Sequence, residues 1–446
     1  MKQTIETNKQ TNNHTMYNTK IIRDPLYGDI IMSSTAIRLI DSDVYRRMAD
    51  IKQTSMAWRV FPSARHSRMN HQIGVYGLAK RTIESLNIRR KLVITNNIQD
   101  DIISPAKMTR LMQNGILPRI SEIEKEWICL GGLLHDLGHG PASHTFDKLI
   151  NQFIEEGLIP KDCKWKTHEE RSQCIFKELV DTEPDRFGLS PIAVDYICNI
   201  INPEQTFIHD FRFQFINNEV NGVDLDKIDY LERDRYVFGL PDKIDVDRII
   251  DNSSICVDLK LSATDQSCKR NTTDRGTYWS FGERTRDDIF ALFMTRYKLY
   301  RNIYNHPKIV CFELAYMNVL RSNSNIIVKA IIEEDITAFS QMTDEFMLWK
   351  ASDKSRIEFG KRNTFRRIND NASEQSIQQF DSVIEFNETV GFFGRNGFNP
   401  FEHIRFHDRS SNCIIRLSQS DISIFLLNEC HSETLQYRFG YTAVVI

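Results

Sequence analysis

Residues 131–147 read Gly-Gly-Leu-Leu-His-Asp-Leu-Gly-His-Gly-Pro-Ala-Ser-His-Thr-Phe-Asp, and they set His135 and Asp136 side by side after an apolar run. The apolar positions from Glu122 to Leu134 recur at helical spacing, so a helix delivers the pair. Neighbouring residues on a helix point about 100° apart, so this imidazole and carboxylate can share one cation only if a second helix supplies ligands from the other side. Candidates for that role stand far off in the chain. His71 lies in the segment Arg68-Met-Asn-His71, and Asp226 in Asp224-Leu-Asp-Lys-Ile-Asp-Tyr230. Two imidazoles and two carboxylates suit a divalent ion such as Fe, Mn, Co or Zn and leave coordination positions for water and a substrate oxygen, which is the pattern of catalytic rather than structural sites. Any one of these side chains alone reads more simply as a core or capping group. The four together carry the assignment.

Working outward, helical spacing continues through Ile73–Leu86, His168–Val180, Ile192–Ile201, Asp226–Tyr236, Arg286–Ile303 and Val310–Ile332. Ser104-Pro105 has the form of an N-cap followed by proline at the first helical position. Before these, Asp24-Pro-Leu-Tyr-Gly28 is turn chemistry, and Asp29–Met32 fits a short strand leading into a helix that carries Ile37, Leu39 and Ile40. A β-like run spans Ile255–Leu261, and the polar stretch Thr264–Thr277 reads as a loop. The fold class is therefore mainly α: a helical core over residues 20–350, preceded by a polar, flexible tail over 1–19. From residue 351 the texture shifts to polar stretches with alternating apolar residues, as in Cys413-Ile-Ile-Arg-Leu417 and Ile422–Leu427, which predicts a smaller mixed α/β C-terminal lobe over 351–446. No internal repeat is evident.

Composition narrows the function. The 446 residues are 41% hydrophobic and 26% charged with a formal net charge of −3, ordinary for a soluble globular chain and without a general attraction to nucleic acid or anionic membrane. A basic site must then be a local pocket, which favours a small anionic ligand. Nine cysteines with no Cys-x-x-Cys pair argue against a disulfide framework. No apolar run approaches the roughly 20 residues of a membrane span, and the polar start lacks a signal-peptide core. A cytoplasmic location is expected.

The ordered series Asp24-Pro-Leu-Tyr-Gly28, Ile51-Lys-Gln53, Val60-Phe-Pro62, Arg68-Met-Asn-His71, His135–Pro141, Lys166-Thr-His-Glu169, Asp224–Tyr230 and Arg296–His306 resembles the HD-domain superfamily. Within it, the series is most similar to the catalytic core of the deoxynucleoside triphosphate triphosphohydrolases, over roughly residues 20–330. The resemblance implies an HD-domain helical core that hydrolyses a dNTP to deoxynucleoside and inorganic triphosphate by attack of water at the α-phosphorus, lowering nucleotide pools for housekeeping or defence. It implies metal ligation by His71, His135, Asp136 and Asp226, with Mg accompanying the substrate triphosphate. His144, with His168 and Asp147, matches the family's catalytic group, and an imidazole oriented by a carboxylate suits a general acid near pH 7. Arg68, His139, Lys227 and Arg296 match the triphosphate clamp, while Gln53, Tyr230, Asp234 and Tyr304 match the deoxyribose site. Thr54 replaces the leucine expected beside the sugar, which predicts looser discrimination against a 2′-hydroxyl.

Family members assemble as homo-oligomers (dimers, tetramers or hexamers), and many bind activating nucleotides at subunit junctions. Lys20, Asp41 and Arg248 keep that pattern, whereas Arg46 and Ala49 depart from an expected Gln and Arg, so guanine-specific activation is not expected. The competing reading is an HD-type phosphodiesterase or nuclease acting on another nucleotide or single strand through the same metal site. A third is a scaffold that only binds nucleotide, and the complete ligand set counts against it.

Overall fold

The computed structural model describes residues 19–90, 119–258, 276–391, 400–407, 414, 415, 417 and 432–443. The expected N-cap at Ser104, the 1–18 segment, most of the 264–277 loop and the run Ile422–Leu427 lie outside them. The protein is mainly α-helical, with three small sheets beside a single extended apolar core.

At the start of the described chain, strands β1 (Lys20–Asp24) and β2 (Gly28–Met32) form an antiparallel hairpin. Asp24 closes the turn by accepting the backbone N–H groups of Leu26 and Tyr27 through Oδ1, and Gly28 takes φ +76° at no side-chain cost. The helix Arg68–Arg90 then runs beneath β2 and packs along its length against Glu122–Leu134. Both helices owe this to sequence: Ile73, Leu78, Ile83 and Leu86 are buried on one, and Trp127, Leu130, Leu133 and Leu134 on the other. Ser121 and Glu124 form a reciprocal capping box that fixes where the second helix begins. The same device, Thr167 with Glu170, starts His168–Thr182. Leu225–Phe238 completes the central group by packing against Arg68–Arg90.

Three expectations are corrected. The apolar run expected as one helix over 310–332 is two, Pro307–Arg321 and Ser324–Ile332, because buried Asn323 turns its amide to the carbonyls of Val319 and Met347 instead of continuing the ladder. The helix expected over 286–303 is α-helical only for Arg286–Leu299 and ends in a π-turn, Tyr300–Tyr304. The polar segment read as a loop up to Thr277 gives way at Gly276 to a strand, Gly276–Gly282.

Strands β3 (Ser253–Asp258) and β4 (Gly276–Gly282) pair antiparallel, and the sheet continues through β7 (Phe406–His407), parallel to β4, to β8 (Ile414–Ile415). A second C-terminal sheet has the order β5–β9–β6, from β5 (Phe365–Ile368), β6 (Ser382–Gly391) and β9 (Ser432–Tyr441). Helices beside small sheets, antiparallel except for the β4–β7 pair, give the mixed lobe expected beside the α core. Among the described residues, no helix is long and apolar enough to cross a membrane.

Candidate metal centre and active site

Three helices bring the four expected ligands together: Arg68–Arg90 supplies His71, the end of Glu122–Leu134 delivers His135 and Asp136, and Leu225–Phe238 supplies Asp226. The Nε2 atoms of His71 and His135 face each other at 3.2 Å. Asp226 Oδ1 lies 2.9 Å from the first and 3.4 Å from the second, and the two Asp136 oxygens each lie 3.5 Å from one of these rings. Ligand atoms about 2.1 Å from one ion are themselves separated by roughly 3–3.5 Å, so these spacings fit a single divalent cation.

The outer ring nitrogens set the tautomers. His135 Nδ1 donates to the Gly132 carbonyl at 2.8 Å, and His71 Nδ1 lies 2.7 Å from Asp229 Oδ2. With Nδ1 protonated, each ring directs its Nε2 lone pair inward, and two lone pairs so aimed repel unless a cation or proton stands between them. Burial disfavours charge on His71, but Asp226 and Asp229 outweigh it and raise the imidazole to about 10. Asp226 in turn is held below the usual carboxylate range, because the His135 and His71 rings overcome its burial.

Behind His71 the support continues outward. Asp229 takes a two-pronged grip from Arg233, 2.9 Å at Nε and 2.9 Å at Nη2, and Arg233 Nη1 reaches Asp24 Oδ2 at 3.0 Å. The turn motif Asp24-Pro-Leu-Tyr-Gly28 is thereby wired to a metal ligand. The sequence left Asp229 and Arg233 unassigned, although Asp229 follows Asp226 by three residues and Arg233 follows Asp229 by four, which puts them on adjoining turns.

A second cluster adjoins the first. His139 Nε2 lies 3.3 Å from Asp136, and its ring stacks on His168 with centroids 3.9 Å apart. Asp147 Oδ2 lies 3.2 Å from His168 Nδ1 and 3.7 Å from His144 Nδ1, while its other oxygen accepts a bond from the buried guanidinium of Arg171. Burial would raise the Asp147 carboxyl, but Arg171 holds it well below its ordinary range, so it is an anion beside two imidazoles. His139 is pushed the other way: burial first and Arg68 second lower it well below the usual imidazole value. It is therefore a neutral ring, and neither buried nitrogen has a well-aligned partner among the described residues. The side chain of His144 is 61% exposed, the one member of this group open to a solvent-borne reactant.

The expected clamp residues divide. Buried Arg68 donates to Asp136 Oδ2 at 2.5 Å and to Ser143 Oγ at 3.0 Å, so its guanidinium is joined to the metal centre itself. Lys227 bends back to Asp224 at 3.3 Å, and Arg296 lies over the Tyr300 ring and donates to the Gly391 carbonyl at 3.0 Å. The expected sugar residues do meet: Asp234 accepts from Tyr304 and lies 2.6 Å from His66 Nε2, and the backbone N–H of Gln53 donates to the His66 carbonyl at 3.0 Å. His66, unassigned from sequence, links them. Tyr230 lies edge-on to His71 with ring centroids 6.4 Å apart. Of the three residues expected at a nucleotide junction, Lys20 is exposed on β1, Asp41 pairs loosely with Arg46 at 3.8 Å, and Arg248 binds Asp288 at 3.3 Å and the Arg284 carbonyl at 2.7 Å.

No protein-family model matches the chain. It is similar to the putative HD domain-containing protein L394 of Acanthamoeba polyphaga mimivirus, with 25% identity over 91% of this chain and 87% of that protein. It is 28% identical to the human deoxynucleoside triphosphate triphosphohydrolase SAMHD1 over 64% of this chain and 42% of the human protein. Its identity to the SAMHD1 homolog of Dictyostelium discoideum is 26%, over 86% of this chain and 64% of the other. The chain thus spans less than two thirds of the length of either of these SAMHD1 proteins. In likeness of this extent, and in imidazoles and carboxylates converging from three helices, the chain is similar to HD-domain proteins that include the deoxynucleoside triphosphate triphosphohydrolases.

Proposed function

We propose that the chain hydrolyses dNTPs to deoxynucleoside and inorganic triphosphate, using a divalent ion held by His71, His135, Asp136 and Asp226. The observation that carries this reading is the adjacency of the His71/His135/Asp226 cluster, with Asp136 oxygens 3.5 Å from its imidazoles, to a separate group of His139, His144, His168 and Asp147 whose carboxylate is ionised and whose outermost imidazole is exposed. When bound, the ion supplies a water of lowered pKa and polarises a phosphoryl oxygen. His144, oriented by Asp147, gives its proton to the departing 5′-oxygen, and His168 buttresses the same carboxylate. Neutral His139 donates one N–H to a phosphate oxygen. Arg68, Lys227 and Arg296 balance the triphosphate charge, for which guanidinium forks are suited, and Mg travels with that triphosphate. Gln53, Asp234 and Tyr304 hold the deoxyribose, with Tyr230 as its wall. The reading extends to a cytoplasmic homo-oligomer in which residues 351–446 form the assembly lobe.

The test is product analysis. Purified protein is incubated with each dNTP and NTP, singly and mixed, and the phosphate product identified: inorganic triphosphate is expected, and release of a nucleoside monophosphate would transfer the site to phosphodiester chemistry.

A further inference from the structure

Two consecutive non-glycine residues, Ala142 and Ser143, take φ of +60° and +55° immediately before His144. Backbone of this kind is sparsely populated for an L-residue, and Ser143 with ψ −122° lies outside even the left-handed helical well; such residues cost of order 1–3 kcal/mol each and persist only where surrounding structure over-determines them. A buried carboxylate meets this segment. Asp344, buried at the first turn of the helix Asp344–Lys350, accepts the Ala142 N–H through Oδ1 at 2.7 Å and the Lys52 N–H through Oδ2 at 2.9 Å. One carboxylate thus ties the segment that enters His144 to the segment that enters Gln53, from a point 202 and 292 residues further along the chain. Two more bonds brace the same junction: Ser143 Oγ donates to the Lys52 carbonyl at 2.8 Å, and the hydroxyls of Ser55 and Thr145 meet at 3.0 Å. Asp344 itself is held from behind. Its carbonyl accepts the hydroxyl of buried Tyr316 at 2.7 Å, and Thr343 caps its helix through the Phe346 N–H.

We propose that Asp344 is a positioning residue, which holds the Ala142–Ser143 turn in its positive-φ form and thereby sets the location of His144 against the metal centre. It touches no reacting atom; it acts through backbone it shares with Lys52 and Ala142. The inference rests on the reading of His144 as the proton donor. Burial raises the Asp344 carboxyl to about 6, consistent with a group kept in an apolar setting for its geometry.

The experiment is a double-mutant cycle on the full chain. Asp344→Asn keeps one acceptor but turns an amide N–H toward a backbone N–H, so the clamp opens on one side. Misplacing a catalytic group by about 1 Å costs on the order of 10²-fold, and a loss of that order in kcat is expected while bound metal is retained. In the His144→Ala background the same substitution should cost only what the Lys52 side of the clamp contributes, well below its cost in the wild type, because the imidazole it positions is gone. Additive losses in the two backgrounds would overturn the proposal. Asp344→Glu, which keeps the charge but displaces it by one methylene, serves if the amide variant fails to fold, and the same non-additivity is expected of it. A crystal structure of either variant reads the proposal without substrate: the Ala142–Ser143 turn relaxed and His144 displaced support it, and an unchanged turn overturns it. Absence of dNTP hydrolysis by the wild type would instead refute the substrate reading, leaving the structural comparison to decide Asp344.

Discussion

Both ring nitrogens of His71 are engaged, Nε2 facing Asp226 in the candidate metal site and Nδ1 with Asp229, so the strength of His71 as a ligand would depend on a residue outside that set. Asp229→Asn replaces the anion that orients the ring with a neutral amide and weakens the grip on Arg233. Loss of such a supporting partner typically lowers metal affinity by about 10–100-fold, and metal content after dialysis against a chelator should fall accordingly. Wild-type retention would show that Asp229 merely packs. Arg171 does for Asp147 what Asp229 does for His71. It is fully buried and also donates to the carbonyls of Gly138 at 2.7 Å and Trp165 at 3.0 Å. Arg171→Met leaves the Asp147 carboxylate without its cation, so a loss of about 3 kcal/mol is expected in denaturant unfolding. The sign with pH follows from the lowered carboxyl: its stabilisation is present above the unfolded value of about 4 and disappears as pH falls through the lower folded one. The stability gap between wild type and variant should therefore narrow on acidification; a gap independent of pH would remove the ion pair from the account.

Helix packing decides whether these residues can meet at all. Gly74, one turn beyond His71, faces the helix Leu225–Phe238 so closely that a Cβ there would lie 2.1 Å from Asp229 Oδ1 and 2.2 Å from Arg233 Nη2. Alanine is the better helix former by about 1 kcal/mol, yet overpacking costs 1–3 kcal/mol, and the atoms in the way belong to a buried paired network. Gly74→Ala should thus lower both the melting temperature and metal retention; a variant that melts higher with its metal intact would mean the helices simply separate. Much at this scale was legible in the chain. The spacing of apolar residues gave Glu122–Leu134 with its bounds and the start of His168–Thr182, while the capping boxes that fix both starts went unread. The convergence of His71, His135, Asp136 and Asp226 was legible too, because a His-Asp pair at a helix end demands partners and few segments offer them. Other features escaped reading. The Ala142–Ser143 turn follows Gly140-Pro141, which marks a turn but not its positive φ, and the break at Asn323 and the β5–β9–β6 order depend in part on contacts distant in sequence that leave no periodicity as a local mark.

For the whole molecule the questions are control and integrity. Arg46 carries a fixed positive charge 3.8 Å from both Asp41 and Asp43, where a neutral amide would leave Asp41 free to pair with a base. Turnover of a single dNTP is therefore expected without GTP or dGTP, and assays with and without added GTP, read beside light scattering, check it; strict GTP dependence of assembly and turnover would reverse it. Integrity turns on residues 351–446. Phe359 packs edge-on to Tyr316 of the helix Pro307–Arg321 at 5.4 Å, and Phe401 meets Phe293 of Arg286–Leu299 at 5.2 Å. Phe365, Phe406 and Phe439 are buried in the same core. Five phenylalanines at about 1.5–3 kcal/mol each amount to roughly 8–15 kcal/mol, as much as the entire stability of a typical domain, about 5–15 kcal/mol. A chain ended at residue 350 keeps Asp344 and every metal ligand but bares the aromatic faces of those two helices. It should lose cooperative melting and its metal together, by calorimetry and metal analysis. A truncated chain that melts as sharply as the full one would make 20–350 an independent domain and the C-terminal sheets an appendage to it.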